Sequence, residues 1–200
     1  RILKALPKMA KAAACTQLNQ AASQVDLIAI ANPWQGPVAG ANAGYNVAMD
    51  NLSRAGGKTI GYVPTTYGDR DINLVKADIN AYNARFHVAG IFIDELDTRT
   101  TQDIAYYQQI YNYIHSLRTD WTVVGNPGTA VPESTVSTTK LADTMVMFED
   151  ESGYAGYTAP AWQANYDAKT FSNLVMNTAS ATEMQADVTK AASQHTGWMY

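Results

Sequence analysis

The sequence predicts an α/β protein in which a parallel sheet, closed as a barrel or open and doubly wound, alternates with outer helices. Three observations carry that prediction. Short apolar, β-branched runs alternate with longer amphipathic stretches along the chain, the rhythm of a parallel sheet covered by helices, as a barrel or a doubly wound sheet. The run at 88–95, Val-Ala-Gly-Ile-Phe-Ile-Asp-Glu, carries no charge until its last two residues, as expected of a buried parallel strand ending at a functional rim. Several other runs also end on polar or conformationally special residues: Asn32-Pro33, Tyr62 with Thr65, Asn126-Pro127 and Glu149. In a barrel all those ends share one face.

Taken in order, residues 8–24 have helical spacing and 26–31 form a strand leading into Asn32-Pro33. Residues 45–55 read as a helix closed by Gly56-Gly57, since glycine readily takes the conformation that follows a helix end. A strand at 59–63 leads into a Tyr- and Gly-rich loop to Arg70, and 71–86 follows as a helix with Ile72, Val75, Ile79 and Tyr82 on one face. The strand at 88–93 precedes a helix over 101–117 bearing Ile104, Tyr107, Ile110, Tyr111 and Ile114. Strands at 121–124 and 144–148, then strand, helix and strand at 170–176, 183–193 and 197–200, complete seven strands. No low-complexity linker divides residues 1–200, so they are expected to form one domain. Segments 128–143 and 150–169 exceed ordinary βα loops and are expected to shape a binding cleft.

Composition narrows the function. Of 200 residues, 46% are hydrophobic and only 16% charged, so the surface leans on neutral polar side chains. A net charge of −4 with no basic run argues against nucleic acid as partner. No apolar stretch is long enough for membrane insertion. Cys15 is the single cysteine, which excludes an internal disulfide, and its Ala-rich surroundings suit a small packing residue. His87, His115 and His195 lack metal-ligand spacing, and no nucleophile elbow or phosphate loop occurs, so neither metal nor cofactor is expected. Gly36, Gly40 and Gly44 do not make a dinucleotide fingerprint and instead suit turns around Pro37.

Asp94, Glu95 and Glu149 are the candidate catalytic residues. Three carboxylates among neutral hydrogen-bonding and aromatic groups suit glycoside cleavage, which needs one carboxylic acid to protonate the leaving oxygen and one carboxylate to attack or to activate water. Adjacent strand residues face opposite sides, so Asp94 and Glu95 face the cleft together only if the strand ends between them. The expectation is that Glu95 and Glu149 form the acid–base or nucleophile pair and Asp94 orients them. An N-terminal cap for the next helix is the structural alternative for Asp94 or Glu95. Asn32, Tyr45, Tyr62, Tyr67, Arg70 and Asn126 are candidates for substrate binding, with Tyr154, Tyr157 and Trp162 as further stacking platforms. Aromatic residues mostly serve packing, and a salt bridge from Arg70 to Asp69 or Asp71 is the alternative to a substrate contact.

These strand ends resemble spherulation-specific family 4, the spherulin-4-like proteins, which overlaps glycoside hydrolase family 135. The matching pieces are Asn32-Pro33-x-x-Gly36-Pro37 with Tyr45 downstream, and Gly61-Tyr62-Val63-x-Thr65-x-Tyr67-Gly68-x-Arg70. They continue with Asp78-Ile79-x-x-Tyr82, Gly90-Ile91-Phe92-Ile93-Asp94-Glu95, Asn126-Pro127-Gly128 and Phe148-Glu149. The resemblance implies a (β/α)8 barrel and secreted, endo-acting hydrolysis of an exopolysaccharide containing N-acetylgalactosamine or galactosamine. It places the family's proposed active-site carboxylates on Asp94, Glu95 and Glu149. Two departures stand out. Family members open with an apolar strand before the first helix, whereas this chain reads as beginning near that helix. The expected barrel therefore lacks its first strand and has an open seam: either the domain is N-terminally incomplete, or the N-terminal segment or another chain covers the gap. Trp34-Gln35 also replaces the small residues often found within the Asn-Pro motif. A non-catalytic carbohydrate-binding or structural protein of a spore, cyst or biofilm matrix is the second reading.

Overall fold

Inward and outward side chains alternate along each short strand, and here both sets are largely apolar, which requires cover on both faces. A barrel ringed by helices supplies it. The computed structural model describes residues 1–5, 12–38, 40 and 42–200. Within these, β1 (Ile2–Ala5), β2 (Leu27–Ala31), β3 (Lys58–Pro64), β4 (Gly90–Asp94), β5 (Thr122–Gly125), β6 (Thr144–Asp150), β7 (Phe171–Val175) and β8 (Trp198–Met199) pair in sequence order, all parallel, into a closed barrel. Helices α1 (Ala12–Ala22), α2 (Asn42–Arg54), α3 (Ile72–Arg85), α4 (Thr101–Leu117) and α5 (Ala181–Ser193) accompany the strands. The early part of the predicted helix 8–24, together with Ala39 and Ala41, lies outside the described residues.

One expectation is corrected: the first strand is present. Ile2–Ala5 runs in register with β2 from Ile2↔Leu27 to Ala5↔Ile30 and meets β8 at Ile2↔Met199, so the predicted open seam is closed. The physical reason it escaped notice is its length. Four residues with a lysine in the middle carry too little pattern to stand out, and neighbouring backbone holds them, with Ile2 N–H donating to Asp26 O at 2.8 Å and Met199 N–H to Arg1 O at 3.3 Å.

Two apolar layers result. Leu3, Ile28, Ile60, Phe92, Val124, Val146 and Leu174 fill the barrel, while a larger layer lies between strands and helices around Ile79, Tyr82, Ile91, Tyr107, Ile110 and Phe171. Gly61 is required by the outer layer. A side-chain carbon there would lie 2.6–2.7 Å from ring atoms of Tyr82, which is fully buried and donates its hydroxyl to Ala31 O at 3.0 Å. Helix α4 begins with a reciprocal cap between Thr100 and Asp103, so its start is locally encoded.

Parity along the strands decides what reaches the rim. Two residues beyond the interior Ile30, Ile60, Phe92 and Val124 come Asn32, Tyr62, Asp94 and Asn126. Strand β6 departs from this rule. Its pairing with β7 shifts between Val146↔Ser172 and Phe148↔Asn173, leaving Met147 as an extra residue, so that Glu149 pairs Leu174. Without that bulge Phe148 would occupy the inward position; with it, Glu149 does.

Candidate active site

At the C-terminal end of the barrel, a cavity of about 180 Å³ is bounded by Asn32, Tyr62, Asp94, Asn126 and Glu149, with Ile30, Phe92, Leu174, Met176 and Tyr200 completing its wall. Larger cavities of about 450 and 420 Å³ involve residues at the strands' N-terminal ends, the face associated with stability in such barrels. The small cavity carries the chemistry. Asn126 Nδ2 donates to Asp94 Oδ1 and to Glu149 Oε2, both at 2.7 Å, and so joins two carboxylates from different strands. Gly128 N–H donates to Asn126 Oδ1 at 3.0 Å and fixes which way that amide points. Tyr62 donates its hydroxyl to Asp94 Oδ2 at 2.6 Å.

Electrostatics separates the groups. Burial raises the Glu149 carboxyl above its ordinary value, the Asn126 hydrogen bond pulls it partly back, and the charge of Asp94 pushes it up again. Burial, followed by the hydrogen bond to Asp94, pushes the Tyr62 phenol far above its ordinary range and keeps it a donor. Tyr62 also stacks on Phe92, with ring centroids 6.2 Å apart and planes at 18°, so the donor sits on the barrel core.

Glu95 stands apart. The strand ends at Asp94, and Glu95 takes a left-handed backbone with φ +58°. Its Oε2 accepts from Thr66 N–H at 2.8 Å instead of contacting Asn126, and it does not border the small cavity. The structure therefore brings Asp94, not Glu95, onto the amide that holds Glu149. Thr65 donates its hydroxyl to Asp94 O at 2.7 Å and Tyr107 donates to Glu95 O at 2.9 Å, clamping this turn from the next loop and from α4. Thr66 and Tyr67, with φ +50° and +54°, place two more left-handed residues beside it. Such backbone strain gathers at functional sites and has to be held by surrounding contacts.

The remaining sequence candidates divide. Asn32 borders the cavity while its Oδ1 accepts from Gly36 N–H at 3.2 Å. Tyr67 is exposed at 57% and borders a neighbouring groove. Arg70 meets neither Asp69 nor Asp71: it donates to Asp78 Oδ2 at 2.7 Å and to Pro64 O at 2.9 Å, bracing the β3 end against α3. Tyr45 is buried in the outer layer. Trp162 and Tyr157 pack against that layer, and the buried Tyr154 accepts from Asn173 Nδ2 at 2.9 Å. No residue of 150–169 borders this small cavity, where a cleft wall was expected; Thr129 and Ala130 from 128–143 border the neighbouring groove. Sequence reasoning missed Met176 and Tyr200, which show no motif, and Tyr107, whose place on the inward stripe of α4 was legible but whose hydroxyl contact was not. Among the described residues no three His, Cys, Asp or Glu side chains are arranged to hold a metal ion, and no helix is long and apolar enough to cross a membrane.

Comparison with known proteins agrees with this architecture. The sequence matches spherulation-specific family 4 over residues 9–200, and the chain belongs to that family. It is 36% identical to Spherulin-4 of Physarum polycephalum over 134 residues, a stretch covering 66% of this chain and 39% of that protein. Among solved structures, Aspergillus clavatus Sph3, crystallised in complex with GalNAc, superposes with a TM-score of 0.75 at 23% identity, covering 99% of this chain and 85% of the other. The C-terminal domain of a putative chitinase from Desulfitobacterium hafniense DCB-2 follows at a TM-score of 0.56 and 12% identity, covering 86% and 65%. Both likenesses establish the barrel fold.

Proposed function

We propose that this member of spherulation-specific family 4 is a secreted glycoside hydrolase that cleaves internal bonds of a microbial exopolysaccharide containing N-acetylgalactosamine or galactosamine. The observation that carries the reading is the Asp94–Asn126–Glu149 arrangement in one rim cavity. The GalNAc bound by the structurally similar Sph3 supports the sugar class.

In this reading Glu149, whose carboxyl burial raises above its ordinary value, donates its proton to the glycosidic oxygen as the bond to the anomeric carbon breaks. Asp94, oriented by Tyr62 and Asn126, faces the positive charge developing on the sugar. Two carboxylate oxygens that each lie 2.7 Å from one nitrogen cannot be farther apart than twice that distance. A shared amide donor keeps the two carboxyl groups near each other, which favours the retaining arrangement with its carboxyl separation of about 5–5.5 Å. Asp94 accordingly attacks the anomeric carbon, and Glu149, now ionised, takes a proton from the water that releases the product with its configuration retained.

The test is incubation with a galactosamine-rich polysaccharide, following chain length and the anomeric form of the first product. Chain shortening with retention is expected. Glu149→Gln and Asp94→Asn should each slow it by about 10²–10⁴-fold with the fold intact. Binding without shortening on long incubation would instead identify a matrix-binding protein.

A further inference from the structure

Beside the small cavity lies a second groove of about 400 Å³, bordered by Tyr67, Leu96, Asp97, Arg99, Pro127 and Ala130 among others. The two are neighbours through consecutive residues. Asp94 borders the first and Leu96 the second, with Glu95 between them; Asn126 borders the first and Pro127 the second. The ridge between them is a rigid piece of backbone. Leu96 N–H donates to Asn126 O at 2.9 Å, and Asn126 N–H donates to Ile93 O at 2.8 Å.

The second groove has features of a sugar site. Its carboxylate is paired, since Asp97, 6% exposed, accepts from Arg99 Nε at 2.7 Å and from Arg99 N–H at 2.8 Å, while the Arg99 guanidinium, 83% exposed, stands at the groove's edge. What remains is the exposed ring of Tyr67, the apolar edges of Leu96, Pro127 and Ala130, and the hydroxyls of Thr98 and Thr129. An aromatic face with neutral hydrogen-bonding groups is what a pyranose ring requires. The left-handed backbone of Thr66 and Tyr67 turns that ring outward, and the bond from Thr66 N–H to Glu95 Oε2 ties it to the ridge.

The geometry points to a saccharide path that crosses the barrel mouth, with one sugar in the Asp94–Glu149 cavity and the next units of the same chain in the Tyr67–Pro127 groove, passing over Glu95. This rests on the proposed saccharide substrate. It assigns Glu95 the place where the two grooves meet, beside the linkage between their occupants, and explains why a third carboxylate stands next to the Asp94–Glu149 pair without touching it. It also makes binding dependent on chain length.

Calorimetric binding of N-acetylgalactosamine and its oligosaccharides up to the hexamer tests this, with Glu149→Gln as the common background so that binding is read without cleavage. Affinity is expected to rise from monomer to hexamer. Adding Ala130→Trp, which fills the second groove from an exposed position, should weaken the hexamer about tenfold and leave the monomer unchanged. Tyr67→Ala should weaken the hexamer similarly and Tyr67→Phe should not, because the ring and not the hydroxyl is the platform. A hexamer that binds no tighter than the monomer, or is indifferent to Ala130→Trp, overturns the path. Polymer shortening by the unmodified protein is scored separately. If shortening persists while the Ala130→Trp effect is absent, only the second groove is lost; if the effect is present without shortening, only hydrolysis is lost.

Discussion

Asp94 and Glu149, from β4 and β6, accept hydrogen bonds of equal 2.7 Å length from the same nitrogen of Asn126. That amide holds two carboxyl groups close enough to influence each other, and the charge of Asp94 is one of the causes that raise Glu149. Removing the amide should therefore act on both geometry and protonation.

Asn126→Ala is expected to lower kcat by about tenfold to a hundredfold, the range for losing hydrogen bonds to charged partners. Because the Asn126 bond lowers Glu149, its loss raises that carboxyl further, and the alkaline limb of the pH–rate profile should move to higher pH. A limb that stays put or moves to lower pH contradicts the assignment of Glu149 as the acid.

Glu149 also links stability to pH. Its carboxyl is raised in the folded state, so its contribution is fully present below the unfolded value and is lost as pH rises through the folded one. Glu149→Gln removes this dependence. The variant should gain stability over the unmodified protein at pH 8 and show no such gain at pH 3, measured as urea midpoints. An equal difference at both pH values would show that ionisation of Glu149 is not involved.

Gly61→Ala is expected to destabilise by about 1–3 kcal/mol, the usual cost of overpacking, since the added carbon meets the ring of a fully buried Tyr82. Strand β3 carries Tyr62 at its end, so activity should fall as well. Chemical denaturation gives the first quantity, and a neutral result would mean that Tyr82 can move aside.

Arg70→Met separates bracing from substrate contact. The guanidinium is engaged by Asp78 and Pro64 O in a partly buried setting, so its loss should cost about 2 kcal/mol of stability and leave KM unchanged. A rise in KM without loss of stability would return Arg70 to the substrate.

Much of the barrel was legible because its signals are local. Apolar runs, helix stripes and the Thr100–Asp103 cap each need only a few neighbouring residues. Strand β1 was not legible, since its four residues are held by pairing with β2 and β8 and not by a pattern of their own. Asp94, Asn126 and Glu149 were found as strand-end polar residues, and Tyr62 by the same rule. Tyr45, Tyr154, Tyr157 and Trp162 illustrate the opposite case: an aromatic side chain reads the same in sequence whether it packs or faces a ligand, and these four pack.

By itself the amino-acid order determined a parallel sheet covered by helices and the polar residues on which its strands end. Only the tertiary structure decided which carboxylates meet. That choice rests on the extra residue at Met147, which turns Glu149 inward, and on the end of β4 at Asp94, which turns Glu95 toward Thr66. Strand register and bulges arise from pairing between distant segments, so no local pattern encodes them.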